Sequence, residues 1–125
     1  MKLSDAEVQI VAALRRLQQT PAKHRPFVIV EDTVTDKFVQ FRGSDGDPLL
    51  LDLPTNELSS EAARRAATML KHNGSPDFPA YQADCQTVEW GARVAMRVLR
   101  EVHELPEFAE LRILEETSTP EHKQN

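Results

Sequence analysis

The sequence predicts an α+β fold, a small antiparallel sheet with helices on one face in the order α-β-β-β-α-(β)-α-(β), a two-layer sandwich. Three observations predict it. Apolar residues recur at helical spacing near the start, in the middle and towards the end of the chain. Between the first two of those segments lie β-branched or alternating runs at 27–30, 37–42 and 49–53. The connections between those runs are too short for crossover helices, so neighbouring strands must run antiparallel.

The first helix opens on Ser4 with Glu7 three residues on, the pattern of a capping box in which hydroxyl and carboxylate each serve an orphan amide. Leu3, Ala6, Ile10, Ala13, Leu14 and Leu17 form its apolar stripe, opposite Asp5, Arg15, Arg16 and Gln19. Val8 and Val11 fall off that stripe. They either widen the buried face or leave a second apolar strip in solvent. Thr20-Pro21 ends the helix, because proline disfavours a helical conformation at the residue before it. The run FVIV at 27–30, opened by Pro26, suits a strand buried on both sides. Residues 33–36 are a polar hairpin turn, 37–42 alternate imperfectly, and the glycine–aspartate cluster at 43–47 is a second turn. The third strand, 48–54, places Leu49, Leu51 and Leu53 on one face and Leu50 and Asp52 on the other.

A second, alanine-rich helix runs from 59 or 60 to 70, with Asn73-Gly74 as the left-handed stop beyond it. Residues 75–84 hold two prolines, Phe78 and Tyr81, and read as loop plus a short edge strand. Thr87 caps a third helix reaching about 105, whose apolar arc is wide enough to be packed on two sides. Pro106 closes it, and 111–114 is a final strand. Residues 1–116 therefore form one domain, and 117–125 a disordered C-terminal tail.

Composition excludes more than it assigns. Of the 125 residues, 40% are hydrophobic and 28% charged, the balance of an ordinary soluble globule. No apolar run approaches the ~18 residues of a membrane span. Acidic residues interrupt the opening MKLSDAEVQIVAAL, so no export signal is read. The single cysteine, Cys85, has no partner for a disulfide within the chain, and a reducing, cytoplasmic setting is expected. Twenty acids against fifteen bases give a net charge of −5, which disfavours binding to a phosphate backbone.

Each candidate for chemistry lacks a requirement. Cys85 would need a base such as His72 or His103 beside it, and no local pattern supplies one. The histidines His24, His72, His103 and His122 never stand four apart, so no helix presents a zinc pair. Asp45-Gly46-Asp47 lacks the longer ladder of oxygen ligands that calcium requires and reads as a turn. Glu31, Asp32 and Asp36 cluster at a hairpin end, where they read as solvated charges. Arg93, Arg97 and Arg100 have Glu89, Glu101 and Glu104 four residues away, a self-compensated solvent face rather than a basic stripe. No catalytic residue, metal ligand or cofactor site is expected.

What remains is apolar surface. If Val39 and Phe41 face the core, Phe38 and Leu50 point outward beside Gln40, Arg42 and Asp52. Either Phe27 with Ile29 or Val28 with Val30 must join them. Such a face either binds a partner, a second copy of the chain included, or is covered by 75–84.

The leading amphipathic helix, FVIVED at 27–32, KFVQFRGSDGDPLLLDLP at 37–54, the alanine-rich helix and VLREVHELPEFAELRILEE at 98–116 together resemble the Tir-chaperone-like superfamily. The chain is most similar to its bacterial TY-Chap branch, which is related in fold to class I type III secretion chaperones. Phe38-Val39-Gln40-Phe41 is the most suggestive stretch; 51–54 and 111–116 match in character, and the similarity spans 27–116. Secretion chaperones carry a two-strand hairpin between their second and third helices, where this sequence offers one strand.

The resemblance implies an acidic, cytoplasmic protein, often dimeric, that holds a partner polypeptide in an extended form, and it carries over no catalytic residue. The expectation is a non-enzymatic protein-binding domain without cofactor, contacting its partner through Val8 and Val11 on the first helix and Phe38 and Leu50 on the outer sheet face. The alternative is a small acidic regulator or immunity-type protein that binds one folded target, with an affinity that weakens in salt.

Overall fold

Alternation along the strands decides which side of the sheet carries the core. The computed structural model describes residues 1–118. Among them, β1 (Pro26–Asp32), β2 (Phe38–Arg42), β3 (Leu49–Pro54), β4 (Lys71–Gly74), β5 (Pro79–Cys85) and β6 (Leu111–Thr117) form one sheet in the order β4-β5-β3-β2-β1-β6. Every neighbouring pair is antiparallel, with Val28 opposite Phe41, Phe41 opposite Leu51, and Val30 opposite Ile113. Val28, Val30, Val39, Phe41, Leu49, Leu51 and Leu53 all point to one side and are buried there. Three helices cover that side: α1 (Ala6–Leu17), α2 (Ser60–Ala67) and α3 (Val88–Arg97). α1 rests on β1 and β6, α3 on β3 and β5, and α2 on the π-helical turn Val98–Val102 that continues α3. The fold is α+β, with helices on one face, as the sequence predicts.

The apolar stripe read for α1 is the buried one, from Leu3 through Leu17. Its capping box does not form. Residues Leu3–Asp5 make a 3-10 turn, and the amides of Leu3 and Ser4 donate to the carbonyls of Ala109 (2.9 Å) and Glu107 (3.2 Å). A tertiary contact thus serves donors that a local side chain would otherwise serve. The other two caps are local: Ser59 Oγ accepts from the Ala62 amide at 3.1 Å, and Thr87 Oγ1 from the Trp90 amide at 3.0 Å.

The largest difference lies between α2 and α3. α2 stops at Ala67 rather than 70, and Asn73-Gly74 ends a strand rather than capping a helix. β4 and β5 form the hairpin that the sequence left as one strand, so the chain carries two strands where one was expected. β5 is interior, paired with β3 on one side and β4 on the other; the edge belongs to β4. Polarity hid it: all four residues of β4 are exposed. α3 turns π-helical after Arg97, with the His103 amide donating to the Val98 carbonyl at 3.0 Å, and Glu104 then reverses the chain at φ 55°. β6 extends through Thr117, one residue into the expected tail, and Ser118 is bonded to His24 and Arg25. The remainder of that tail, 119–125, lies outside the described residues.

The expected i,i+4 ladder on α3 is only partly made. Arg97 pairs with Glu101, but Glu89 pairs with Arg15 of α1, Arg100 with Glu107, and Glu104 with Arg65 of α2. The charges therefore staple elements together instead of one helix to itself. Asp32 is likewise not a solvated charge. It is buried and accepts from the Thr35 amide (3.0 Å) and hydroxyl (2.6 Å), closing the β1–β2 turn.

Candidate binding face

The face away from the helices is built by the other half of each strand's alternation. Strand register sets its residues in rows. One row runs Glu116, Phe27, Arg42, Leu50, Asp84; the next runs Leu114, Ile29, Gln40, Asp52, Gln82, Lys71. In the third, Phe38 lies beside Glu31 and Glu31 beside Arg112. The polar members largely engage one another. Gln82 Nε2 donates to Asp52 Oδ1 at 2.7 Å, and Arg112 Nε donates to Glu31 Oε2 at 2.8 Å.

The apolar members, Phe27, Ile29, Phe38, Leu50 and Leu114, are each only half-buried, and no helix covers them. Phe38 and Leu50 thus point outward as read, and Phe27 with Ile29, not Val28 with Val30, is the set that joins them. Phe38 and Leu50 do not touch as one cluster, since the row of Gln40 and Asp52 stands between theirs. The 75–78 turn borders a cavity of about 310 Å³ at one side of the face, with Phe78 on its rim. It does not pack down, because Phe78 is 80% exposed.

At the other side lies a larger groove of about 590 Å³, open to solvent. Pro26, Phe27, Pro48 and Leu50 supply apolar walls, and Arg25 and Arg42 line it with positive charge. The β2–β3 turn forms one rim. Gly43 there adopts φ +139°, and a Cβ on it would meet the Pro48 carbonyl oxygen at 2.5 Å. Ser44 Oγ donates to Asp47 Oδ2 at 2.5 Å, so the glycine–aspartate cluster builds a turn, as the sequence predicts.

β6 is the longer exposed edge of the sheet. The Leu111 amide donates to the Met1 carbonyl (2.7 Å), and the Met1 amino group donates to the Leu111 carbonyl (3.0 Å). Leu111 therefore turns its peptide groups away from β1, and strand alternation turns those of Ile113, Glu115 and Thr117 the same way. Among the described residues no strand pairs with β6 on that side.

Val8 and Val11 take different fates. Val8 is 76% exposed, whereas Val11 is half-buried against the core. Both belong to the helical layer, opposite the sheet face that holds Phe38 and Leu50, so the four residues do not form one surface. The sequence reading missed Arg25 and the groove, which depend on the 22–25 turn returning beside β1. It also missed Val34 and Phe108, apolar residues that are exposed.

Burial pushes the Cys85 thiol up to about 11, and its Sγ reaches the Ala83 carbonyl at 3.6 Å. His72 packs edge-on against Tyr81 and His103 bonds the Phe38 carbonyl; neither bonds Cys85. Among the described residues no group of three or more His, Cys, Asp or Glu side chains is placed to hold a metal ion, and no helix is long and apolar enough to cross a membrane. No protein-family model, curated protein or solved structure matches this chain.

Proposed function

We propose that the protein is a non-enzymatic, chaperone-like domain that holds an extended segment of a partner polypeptide across the outer face of its sheet. One observation carries the reading: five large apolar side chains, Phe27, Ile29, Phe38, Leu50 and Leu114, share a face that no helix covers. Two features support it. The groove beside Leu50 is open, which suits a strand of chain better than an enclosed small molecule. The outward peptide groups of β6 allow main-chain pairing, the device by which sheets capture extended peptides. The resemblance to secretion chaperones, a cytoplasmic setting and a bacterial source belong to the same reading. At ~25 cal/mol per Å² of apolar area, covering a few of these side chains supplies several kcal/mol. Ordering the client returns part of it.

The test is affinity capture from the source lysate with wild type and with the double variant Phe38→Asp, Leu50→Asp, each first shown to be folded by circular dichroism. A partner held by wild type and lost by the folded variant supports the reading. Equal retention overturns it. A second copy of the chain is the competing occupant of the face. If wild type sediments as a dimer and the double variant as a monomer, the face serves self-association.

A further inference from the structure

The groove beside Arg25 and Arg42 carries charge as well as apolar area. Acids outnumber bases by 20 to 15, and Arg15, Arg16, Arg97, Arg100 and Arg112 each hold a carboxylate. Arg25 holds none among the described residues. Arg42 forms an ion pair with Asp52 at 3.8 Å without a hydrogen bond, so its donors stay open to a ligand. Asp47 also lines the groove and keeps its charge while its Oδ2 accepts from Ser44 Oγ at 2.5 Å within its own turn, so the lining sets two arginines against one carboxylate.

The backbone adds a second, independent observation. Arg25 sits at φ 46°, ψ 58°, the left-handed region that favours glycine or asparagine and costs other residues strain. It is held there by bonds from outside its own side chain: its amide donates to the Ala22 carbonyl at 3.0 Å, and Ser118 Oγ donates to its carbonyl at 3.1 Å. Strain of this kind persists where the surrounding structure over-determines the conformation, as these two bonds do here. What the position delivers is a guanidinium at the groove, beside the apolar walls of Phe27 and Leu50.

We infer that this groove selects, within the captured segment, one acidic side chain flanked by apolar ones. The carboxylate seats between Arg25 and Arg42, and its apolar neighbours lie on Phe27 and Leu50. The row through Arg42 ends in Glu116 on one side and Asp84 on the other. A second acid in the segment, one strand further along, would therefore meet repulsion. The groove thus fixes the register of the client as well as its charge. This inference rests on the peptide-capture reading above.

The experiment is selection from a random-sequence peptide display library, with wild type and with Arg25→Gly as baits. Glycine suits the left-handed backbone, so the variant removes the guanidinium while its melting temperature stays equal or rises. Wild type should enrich peptides with a single Asp or Glu between apolar residues by about fivefold over their glutamine or asparagine counterparts, the scale of one exposed charge pair. Arg25→Gly should enrich apolar peptides without that acidic preference. If wild type enriches apolar peptides with no acid, or with lysine, the groove inference is overturned while peptide capture stands. An acidic preference that survives in Arg25→Gly also overturns it. If no peptide is enriched, peptide capture fails and the inference with it.

Discussion

His103 is the residue whose environment makes the clearest solution prediction. Its ring is buried at the end of the π-helical turn, and Nε2 lies 2.7 Å from the Phe38 carbonyl oxygen. A carbonyl only accepts, so Nε2 carries the hydrogen. Desolvation lowers its pKa from the usual 6.5, and the charges of Lys37 from the β1–β2 turn and Arg65 from α2 lower it further. The Phe38 bond opposes them, and Glu104, beside the ring in sequence, is drawn 3.5 Å from Arg65. With the folded value below the unfolded one, the unfolded chain takes up a proton first as pH falls. Stability from neutral His103 is therefore complete above pH ~6.5 and drains away below it, by at most about 1.4 kcal/mol per pH unit. Chemical denaturation between pH 7 and 5 should show this decline. His103→Gln, which keeps a donor for Phe38, should flatten it; an unchanged slope would mean that another group drives the decline. Cys85 yields a simpler expectation. A buried thiol held near 11 should react with iodoacetamide at neutral pH only as fast as the protein opens, and faster labelling would contradict its burial.

Among elements, the two turn glycines of the β2–β3 connection separate conformational strain from steric blockage. Gly43 and Gly46 both have positive φ, +139° and +84°. A methyl on Gly43 would meet backbone atoms of Pro48 and Leu49 within 2.9 Å, whereas one on Gly46 meets nothing within 4 Å. Gly46→Ala should therefore cost only the left-handed penalty, about 1 kcal/mol. Gly43→Ala adds a clash with backbone that cannot rotate away, so its cost should exceed that of Gly46→Ala by about 1 kcal/mol or more. Urea midpoints of the two variants compare them directly, and equal midpoints would mean that the turn can move. The turn itself was legible because glycine and aspartate name it. So were α1, with its unbroken stripe, and the Thr87 cap. β4 was not, because an edge strand with all residues in solvent has no apolar alternation to read. The α1 start was misread for the opposite reason, since a local pattern existed and a distant loop supplied the hydrogen bonds.

At the scale of the whole molecule, the single structural claim behind the functional reading is that the sheet has two unlike faces. Alternation made that claim legible at Phe38 and Leu50, because a residue beside a core position must point the other way. It could not reveal that Arg25 lines the same face, since that depends on how the 22–25 turn and Ser118 pack, nor that Val8 and Val11 fall on the opposite layer. The two faces can be separated by energetics. Phe41 is fully buried against Val28 and Leu51, so Phe41→Ala leaves a cavity and should cost ~3–5 kcal/mol. Phe38 is half-buried, and Phe38→Ala leaves its backbone bond to His103 in place. It should cost about 1 kcal/mol. Leu50→Asp introduces a carboxylate opposite Arg42, whose charge offsets the nearby Asp84, so it too should remain folded with a loss near 1 kcal/mol. Guanidinium denaturation of the three single variants decides the matter. A wide gap between Phe41 and the other two means that the outer face is surface, free to bind. A loss at Phe38 as large as that at Phe41 would make the outer face a second core, and the groove beside Leu50 would then have no open face to serve.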